Sequence, residues 1–567
     1  MFKKNRAFLI IVSLVLLILQ YVPFYYHQNQ STKNRVYLGA ERYTPDYYVY
    51  LYYINQGVLG KNLVVNFYTN EPHAGSLVHI EYLLMGKVGN LFKLPISVIF
   101  YGFRSLFLVV YVLISFWFIG LFIKNTLVHR LAFLLSFFWG GLFWPEISQN
   151  GINLKSYFDF YQTPDIFNRL TFEPHKLIGM SLMLILLALV IKILNSQKTY
   201  KAIACVCLTI TLTGFLHGVT AIGLIFTMIF YLLFDLLISI LNKNRSLSSL
   251  FRSFSIPAVF IFAAALPLFY WQYVFSQNHV WYAVSLWERN FAKIDMASNP
   301  VWTVVGFIFT LGPLVVLGLI GIKKFLADHK KFGLLLFSFL LSNVFLFFVG
   351  YMFLGTTKHR YHQTPNLVGW SIMATYGIQT IALALQKVWN KKNLNFLLVA
   401  FYCLLIFMGI PNALQGLNRQ LYQFGSPPNL DLMGYPPKKT YEALVWMKDS
   451  TNMDDVILSL PTIGQIIPFV PGRKVVVGDY VHTYKYFEKL PLVEKFYSGL
   501  MSQDEVKSFL EKEHVHYVFW SFEEKNKGNL DVYGNLLKEV FSNKDAVVYE
   551  VMKSPKIHKQ KPQPPVL

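Results

Sequence analysis

Long runs of apolar residues alternate with short polar segments along most of the chain. Several runs exceed the roughly 18 residues that a helix needs to cross a bilayer. The pattern therefore predicts an α-helical polytopic membrane protein with about eleven transmembrane helices. The predicted spans are 7–26, 95–123, 131–145, 176–194, 202–216, 218–241, 254–275, 301–322, 333–354, 366–386 and 394–411.

Two of these spans, 131–145 and 202–216, are short for a bilayer crossing. Half-length helices are tolerated only where protein shields them or where they face an aqueous cavity. We therefore expect a cavity that opens towards the outside, and not a simple bundle of helices.

Beyond residue 411 the pattern becomes that of a soluble domain. Apolar stretches at 455–460, 473–478, 515–521 and 546–551 predict strands, and helices are expected at 437–450 and within 482–513. Alternating helices and strands favour a small α/β domain. The predicted organisation is a transmembrane domain over 1–411, an α/β domain over 412–552 and a basic disordered tail over 553–567.

Composition supports a membrane protein and argues against a nucleic-acid partner. The chain is 54% hydrophobic and 14% charged, whereas soluble proteins carry about 25% charged residues. The net charge of +21 comes largely from clusters of lysine and arginine between the apolar runs, which is the pattern of cytoplasmic loops. The partners expected on this ground are membrane lipids. The three cysteines do not suggest a disulfide framework.

The distribution of charges predicts the orientation. Lys3, Lys4 and Arg6 precede the first span, which reads as an uncleaved signal anchor with its N-terminus inside. Alternate loops are then basic, while the remaining loops hold most of the acids. We therefore predict a multi-pass protein of the plasma (cytoplasmic) membrane with the C-terminal domain outside.

The first outer loop, 27–94, is long and rich in tyrosine. A helix is predicted over 46–56, with Thr44 and Asp46 near its start and Gly57 at its end. A second amphipathic stretch, Ser76 to Phe92, is expected to lie along the membrane surface.

The segment from Thr44 to Gly57, TPDYYVYLYYINQG, resembles the first outer loop of the GT-C class of membrane glycosyltransferases. Looser matches are Phe172-Glu-Pro-His175, Leu216-His-Gly-Val-Thr220 and His359-Arg-Tyr361. The resemblance implies a GT-C-like fold and transfer of a sugar from a polyprenyl-phosphate donor to an acceptor on the outer face. The acceptor class stays open between glycan, lipid and protein.

Sugar transfer needs a base for the acceptor hydroxyl and groups that stabilise the leaving phosphate. Asp46 matches the first-loop acid of the class, which implies a role as general base or metal ligand. The alternative is an acid at a helix N-terminus that only favours the helix dipole.

Glu-Pro-His occurs twice, with Glu71 and His73 in one copy and Glu173 and His175 in the other. A carboxylate and an imidazole two residues apart are able to share a divalent metal, and such residues are also common in loops. His217 lies between two apolar runs, where a polar residue is either functional or a satisfied packing histidine. The cofactor thus stays unknown, with a divalent metal as one option.

Two basic groups are candidates for the donor phosphate. Arg104 lies inside the span 95–123, where an arginine needs a partner or a cavity unless it extends to the surface. His359 and Arg360 form a positive cluster in an outer loop. Such a cluster suits phosphate binding, or else it neutralises nearby acids.

Two functions other than glycosyl transfer are also compatible with the predicted topology. A transporter or flippase of lipid-linked glycans would normally show repeats between its halves, and no such repeat is evident. A non-catalytic scaffold for envelope assembly would need neither Asp46 nor Arg360.

Overall fold

The computed structural model describes residues 2–40, 44–148, 151–156, 166–171, 173–195, 200–241, 247–362, 365–389 and 394–552. The predicted tail at 553–567 lies outside this range. The first helices and strands are α1 Phe2–Gln30, α2 Thr44–Val58, α3 Ile80–Leu91, α4 Ile96–Phe122, α5 Thr126–Phe138, β1 Phe143–Ser148, β2 Gly151–Ser156, α6 Ile166–Leu170, α7 Pro174–Asn195, α8 Tyr200–Leu216, α9 Gly218–Leu241 and α10 Leu247–Gln277.

The remaining elements follow in chain order. They are α11 His279–Ala297, α12 Pro300–His329, α13 Lys331–Phe345 with a π-turn at Leu346–Gly350, α14 Tyr351–Leu354, α15 His359–His362, α16 Asn366–Trp389, α17 Leu394–Met408, α18 Ile410–Tyr422, α19 Lys438–Ser450, β3 Val456–Leu458, α20 Pro461–Ile466, β4 Lys474–Val475, α21 Tyr486–Tyr497, α22 Gln503–Lys512, β5 Val515–Trp520, α23 Phe522–Lys525, a 3₁₀ turn at Leu530–Leu536, β6 Leu537–Ser542 and β7 Val547–Val551.

Within the described residues, nine helices are long and apolar enough to cross a membrane. They coincide with nine of the predicted spans and confirm a multi-pass membrane protein. Their ranges are Lys3–Gln30, Ile96–Phe122, Pro174–Leu194, Gly218–Leu241, Phe254–Gln277, Pro300–His329, Lys331–Leu354, Asn366–Lys387 and Leu394–Tyr422.

The two predicted short spans are also helices, at Thr126–Phe138 and Tyr200–Leu216, and both are shorter than a full crossing. The predicted bounds 131–145 were wrong. The helix begins earlier because the side chain of Asn125 accepts a hydrogen bond from the Val128 N–H and caps the first turn. It ends before Trp139. A total of about eleven crossings stays a prediction.

The chain divides into two compact units. The first contains residues 1–26 and 97–423 and is built from the apolar helices. Its core is made of leucine, phenylalanine and other apolar side chains contributed by α1, by the helices from α4 to α10, and by α12, α13, α16 and α17. In this core, the Trp139 indole donates a hydrogen bond to the Thr310 carbonyl at 2.6 Å, which satisfies the buried N–H.

The second unit contains the described residues of 27–96 and 424–552, so the first outer loop groups with the C-terminal segment. Its five-stranded sheet has the order β4-β3-β5-β7-β6. Strands β4, β3 and β5 are parallel, and β7 and β6 are antiparallel. Helices α21 and α22 contribute Val493, Phe496 and Phe509 to the core against this sheet. The prediction of a small α/β domain is confirmed, whereas its boundaries at 412 and 552 stay predictions.

Within this second unit, the first outer loop packs closely on the C-terminal segment. The Tyr48 ring of α2 stacks on Phe469 with ring centroids 4.9 Å apart. Asn55 donates to the Phe469 carbonyl at 3.1 Å, and the Val475 N–H donates to the Phe67 carbonyl at 2.9 Å. The tyrosines of α2 are therefore core residues of the unit, as their near-complete burial shows.

Candidate functional site

Asp46 lies in the first turn of α2 and is half-buried. The negative charge of Asp46 influences the pKa of Tyr53, which lies two turns further along the same helix. Burial is the main reason that the pKa of Tyr53 is raised. The negative charges of Asp479, Glu81 and Asp46 raise the same pKa further. Three carboxylates thus act on one buried phenol, and only Asp46 among them is a candidate from the sequence alone.

His79 and Glu81 form a pair that is not among the candidates from the sequence. His79 Nδ1 lies 2.9 Å from Glu81 Oε1, and the Glu81 side chain is buried. The backbone of His79 is left-handed, with φ of 50°, which is uncommon for a residue other than glycine. A carboxylate at one ring nitrogen sets the tautomer and orientation of an imidazole. The signal was the His-x-Glu spacing, which reverses the Glu-x-His spacing of the two copies identified in the sequence.

The Tyr50, Tyr53 and Tyr82 rings surround His79. Their centroids lie 5.6, 5.5 and 5.9 Å from that of the imidazole. Tyr50 and Tyr82 also stack on each other at 4.6 Å. The aromatic rings restrict the imidazole to one orientation, so the His79–Glu81 pair is preorganised.

Glu71 and His73 are held by other parts of the second unit. His73 Nε2 accepts the Asn66 N–H at 2.8 Å, and its Nδ1 lies 2.8 Å from the Glu71 carbonyl oxygen. Glu71 Oε1 lies 3.2 Å from the ammonium of the buried Lys489. A metal at His73 would compete with these backbone contacts, so the geometry favours a structural role for this copy of Glu-Pro-His.

Glu173 and His175 stand at the start of α7. The Glu173 carbonyl accepts the Lys176 N–H at 3.0 Å, and its carboxylate binds the Lys176 ammonium at 2.8 Å. Pro174 occupies the first helical position, where its missing N–H costs nothing. His175 is buried. The Glu-Pro-His sequence is therefore a helix start that directs one carboxylate and one imidazole into the first unit.

His217 meets His175 inside the same unit. Their ring centroids are 5.9 Å apart. His217 Nδ1 lies 2.8 Å from the Thr220 hydroxyl, and Gly179 leaves room for the ring, because a Cβ there would lie 2.7 Å from His217 Cγ. Two of the segments that resemble the GT-C class are thus brought together although they lie on different helices.

Arg104 is buried on α4, the second of the long apolar helices. Its guanidinium carbon lies 4.6 Å from the Tyr101 ring centroid and 6.0 Å from that of Phe100. Cation–π contact with aromatic faces lowers the cost of keeping the charge inside apolar surroundings. The side chain is thus held within the protein, whereas the alternative of extension to the surface would leave it exposed.

His359 and Arg360 bind acids of α11. Arg360 donates two hydrogen bonds to Glu288, from Nε at 3.1 Å and from Nη2 at 2.7 Å. Burial acts to raise the pKa of Glu288, but the charge and hydrogen bonds of Arg360, together with Thr357, lower it to about 2. His359 Nε2 lies 3.2 Å from Asp295 Oδ1. This is the arrangement expected if the basic cluster neutralises nearby acids.

The fold therefore brings some of the candidate residues from the sequence together and leaves others apart. In the first unit, His175 contacts His217, the Glu173 carboxylate binds Lys176, and His359 and Arg360 bind acids of α11. In the second unit, Asp46 acts on Tyr53 together with Glu81 and Asp479. Asp479 itself binds His482, with Oδ1 and Nδ1 2.6 Å apart. No short motif marks this second pair in the sequence.

No protein-family model matches the chain, and no curated protein matches it either. Solved structures do match. The apo oligosaccharyltransferase of Archaeoglobus fulgidus aligns over 95% of this chain and 73% of its own, with a TM-score of 0.53 and 14% identity.

The same archaeal enzyme matches in two other states. Its complex with an inhibitory peptide and a dolichol-phosphate covers 95% of this chain and 73% of its own, with a TM-score of 0.51 and 14% identity. Its complex with Zn and sulfate covers 96% and 73%, with a TM-score of 0.51 and 15% identity. At these identities the likeness establishes the fold, and the chain is accordingly a multi-pass membrane protein of GT-C-like fold.

Proposed function

We propose that the chain is a membrane glycosyltransferase that moves a sugar from a polyprenyl-phosphate donor to an acceptor on the outer face of the membrane. The observation that carries the proposal is the GT-C-like fold over nearly the whole chain, shared with an oligosaccharyltransferase solved with dolichol-phosphate. The positive-inside distribution of the loops supports an N-terminus inside and a C-terminal domain outside the plasma membrane.

Asp46 is the proposed base for the acceptor hydroxyl, or a ligand of a metal that acts on the donor. A general base needs a carboxylate whose environment controls its proton affinity. Asp46 is half-buried on α2, and almost all other residues of this helix are buried. The negative charge of Asp46 acts on the hydroxyl group of Tyr53. The charges of the buried Glu81 and Asp479 act on Tyr53 together with that of Asp46, so Asp46 belongs to a region in which neighbouring negative charges influence proton affinity.

A divalent metal would be held by Glu173, His175 and His217. Carboxylate and imidazole ligands suit zinc and similar ions. The ring centroids of His175 and His217 lie 5.9 Å apart, and the Glu173 carboxylate would first have to release the Lys176 ammonium. The archaeal neighbour has been solved with Zn and sulfate. When bound, such an ion would stabilise negative charge on the leaving phosphate, while the protein residues orient the donor.

Arg104 is the stronger candidate for the donor phosphate. An arginine provides several N–H donors in a fork that fits phosphate oxygens. Arg104 is held inside apolar surroundings by Tyr101, where a charge interaction is strong. Arg360 and His359 would first have to give up Glu288 and Asp295, so we assign them a secondary role in phosphate binding.

The test is glycosyl transfer by the full chain in detergent with a panel of polyprenyl-phosphate sugars, comparing wild type with Asp46→Asn. A matched control is Asp504→Asn, because Asp504 also lies in the first turn of a helix and its loss removes the same dipole interaction. Transfer by the wild type and by Asp504→Asn, with loss in folded Asp46→Asn, supports both the enzyme and its acid. Equal transfer by all three removes Asp46 from the mechanism. Absence of transfer with every donor would put a transporter of lipid-linked glycans on an equal footing with the enzyme.

A further inference from the structure

A carboxylate and an imidazole of the second unit form a dyad that has no part in the function proposed so far. His482 Nδ1 lies 2.6 Å from Asp479 Oδ1, and the two side chains are 12% and 3% exposed. The same carboxylate oxygen accepts the backbone N–H groups of Val481 and His482, each at 3.0 Å. Because the carboxylate oxygen is the acceptor in all three contacts, the proton of the neutral imidazole lies on Nδ1 and the lone pair on Nε2.

The chain around the dyad holds the imidazole in place. Gly478 precedes Asp479, and a Cβ there would lie 2.7 Å from Tyr68 Cδ1, so the chain passes this ring only because it has no side chain at that position. Asp479 then fixes a turn by accepting N–H groups two and three residues further on. The Asn66 side chain donates to the His482 carbonyl at 2.7 Å. Both the ring and the backbone of His482 are therefore preorganised.

The second ring nitrogen of His482 is open. In the part of the chain that the structure describes, no hydrogen-bond partner reaches Nε2, and this atom is not among the buried ones. His73 in the same unit differs, because the Asn66 N–H occupies its Nε2 and the Glu71 carbonyl faces its Nδ1. An imidazole with one nitrogen held by a carboxylate and a lone pair on the other is the arrangement that a general base requires.

The dyad belongs to the region around α2 that contains Asp46. Burial raises the pKa of Tyr53 and of Tyr68, and the charge of Asp479 raises both further. The charge of Asp46 acts on Tyr53 as well, so the dyad and the first-loop acid influence the same hydroxyl group. The raised pKa values keep these phenols protonated at neutral pH. Imidazole is the side chain that exchanges a proton in this pH range, which favours His482 over its neighbours as a base.

We propose that His482 is the proton acceptor for the acceptor hydroxyl and that Asp479 is its positioning residue, an inference that rests on the proposed function. In the transfer step, the acceptor oxygen forms a bond to the anomeric carbon of the sugar. The bond between that carbon and the phosphate oxygen breaks, and the leaving polyprenyl phosphate keeps its electron pair. The hydroxyl proton passes to Nε2, and the Asp479 carboxylate stabilises the imidazolium until the proton is released to water. Asp46 then has the second of its two proposed roles, that of a metal ligand.

The test measures kcat and KM of the full chain in detergent across a range of pH, with a donor that the wild type transfers. His482→Gln should lower kcat by about 100- to 10,000-fold, the usual contribution of general acid–base catalysis, with little change in the KM for the donor. Added imidazole should restore part of the transfer by His482→Ala, because it replaces the lost base.

His516→Gln is the matched control. His516 also lies near a carboxylate, with Nε2 4.0 Å from Asp455 Oδ1, but its Nδ1 accepts the Val456 N–H. A carboxylate therefore does not orient this ring as Asp479 orients His482. The variant should keep the kcat of the wild type and gain nothing from imidazole.

Asp479→Asn separates positioning from folding. Asparagine keeps an Oδ1 that accepts the two backbone N–H groups of the turn, but it removes the charge that stabilises the imidazolium. The acidic limb of the kcat profile should therefore move to lower pH, and kcat should fall. A dyad that only supported the fold would lower Tm and leave this limb unchanged, which would overturn the proposal.

Equal kcat values for wild type and His482→Gln would overturn the dyad and leave the proposed function intact. Failure of the proposed function has a different result, namely no transfer by the wild type with any donor. A second readout is independent of activity, because diethyl pyrocarbonate acylates an accessible, unprotonated imidazole nitrogen. Mass spectrometry should find His482 modified together with the exposed His514, and His73 unmodified because both of its nitrogens are engaged. An unmodified His482 beside a modified His514 would exclude His482 as the base.

Discussion

His175 and His217 face each other with ring centroids 5.9 Å apart and rings inclined at 44°. The contact joins the start of α7 to the break between α8 and α9. It exists because Gly179, one turn after His175, has no side chain to fill the space that the His217 ring occupies. The relation between these two imidazoles is therefore sensitive to a third residue that carries no chemistry of its own.

Gly179→Ala should impair transfer without changing any polar group. The new Cβ would lie 2.7 Å from His217 Cγ, which forces the imidazole away from His175. Displacement of a group by about 1 Å costs activity up to about 100-fold, and overpacking costs about 1–3 kcal/mol of stability. The measurement is kcat together with thermal unfolding. Gly223→Ala is the control, because the nearest atom to its Cβ is Met183 Cε at 3.7 Å. Equal effects of the two substitutions would contradict the proposed role of the histidine pair.

Removal of metal should abolish activity if Glu173, His175 and His217 hold an ion. We expect chelation to stop transfer and a divalent ion to restore it, and the metal content of His175→Ala to fall below that of the wild type, because imidazole and carboxylate ligands are lost or weakened. Metal content is measured by mass spectrometry on purified protein. His514→Asn, a substitution of an exposed histidine, should leave both quantities unchanged. A wild type that is fully active after chelation and contains no metal would show that transfer is metal-independent.

Arg104→Lys should weaken binding of the lipid-phosphate donor. Lysine keeps the charge but not the fork of N–H donors, and a charged hydrogen bond is worth about 1.5–3 kcal/mol. We therefore expect the KM for the donor to rise roughly 10- to 100-fold, with a smaller change in kcat. Arg360→Lys is the comparison, and it should leave this KM almost unchanged because its guanidinium binds Glu288. The reverse order of the two effects would transfer the phosphate role to Arg360.

Glu288→Gln should remove a pH-dependent contribution to stability. The pKa of Glu288 is depressed from 4.5 to about 2, so its ion pair stabilises the fold fully above pH 4.5. The contribution decreases as the pH falls towards 2. A shift of this size corresponds to about 3 kcal/mol, which we reduce to about 1–2 kcal/mol because Arg360 is partly exposed. The difference in Tm between wild type and Glu288→Gln should therefore be constant above pH 5 and decrease below it. A constant difference down to pH 2.5 would exclude the ion pair as its cause.

The sequence was sufficient to predict the helices and strands that are marked by a single local feature, such as an uninterrupted apolar run. Long apolar runs give spans because a bilayer requires them, and the strands Val456–Leu458 and Val515–Trp520 follow from short runs of buried β-formers. Helix α11, His279–Ala297, lies between two predicted spans, and the apolar pattern does not predict it because polar residues interrupt its apolar face, although Asn278 caps it. Strand β6 is half-exposed and mostly polar on one side, so the apolar pattern does not predict it either.

The site was harder to predict than the fold, because its residues meet only after folding. Asp46 and Glu173 could be chosen from the sequence because of the residues next to them. Glu81 and Asp479 become relevant only in the folded protein, where the charges of both raise the pKa of Tyr53. Arg360 is the opposite case, because its sequence context suggests a binding site whereas the folded protein gives it an ion pair. A positive cluster in an outer loop suggests an anion site, and nothing local indicates that Glu288 binds it from a separate helix.

Lys489 should be the most consequential lysine of the second unit for stability. It is buried on α21, with its ammonium 2.5 Å from Asn70 Oδ1, 3.0 Å from Glu513 Oε2 and 3.2 Å from Glu71 Oε1. Lys489→Met would leave the buried carboxylate of Glu513 without its cation. Breaking a buried ion pair in this way costs about 3–5 kcal/mol.

Lys495→Met on the same helix is a matched control, because Lys495 pairs with Glu505 at an exposed position, where such pairs contribute about 0–1 kcal/mol. The measurement is thermal unfolding of the full chain, followed by near-ultraviolet circular dichroism. The double variant Lys489→Met with Glu513→Gln should recover part of the loss, since it removes the unpaired charge while keeping the side-chain volume. Because Asn70 and Glu71 belong to the first outer loop, a loss confined to Lys489→Met and partly restored in the double variant would show that this buried cation fastens the loop to the C-terminal segment. Equal Tm values for the two single variants would mean that the apolar contacts of α2 suffice.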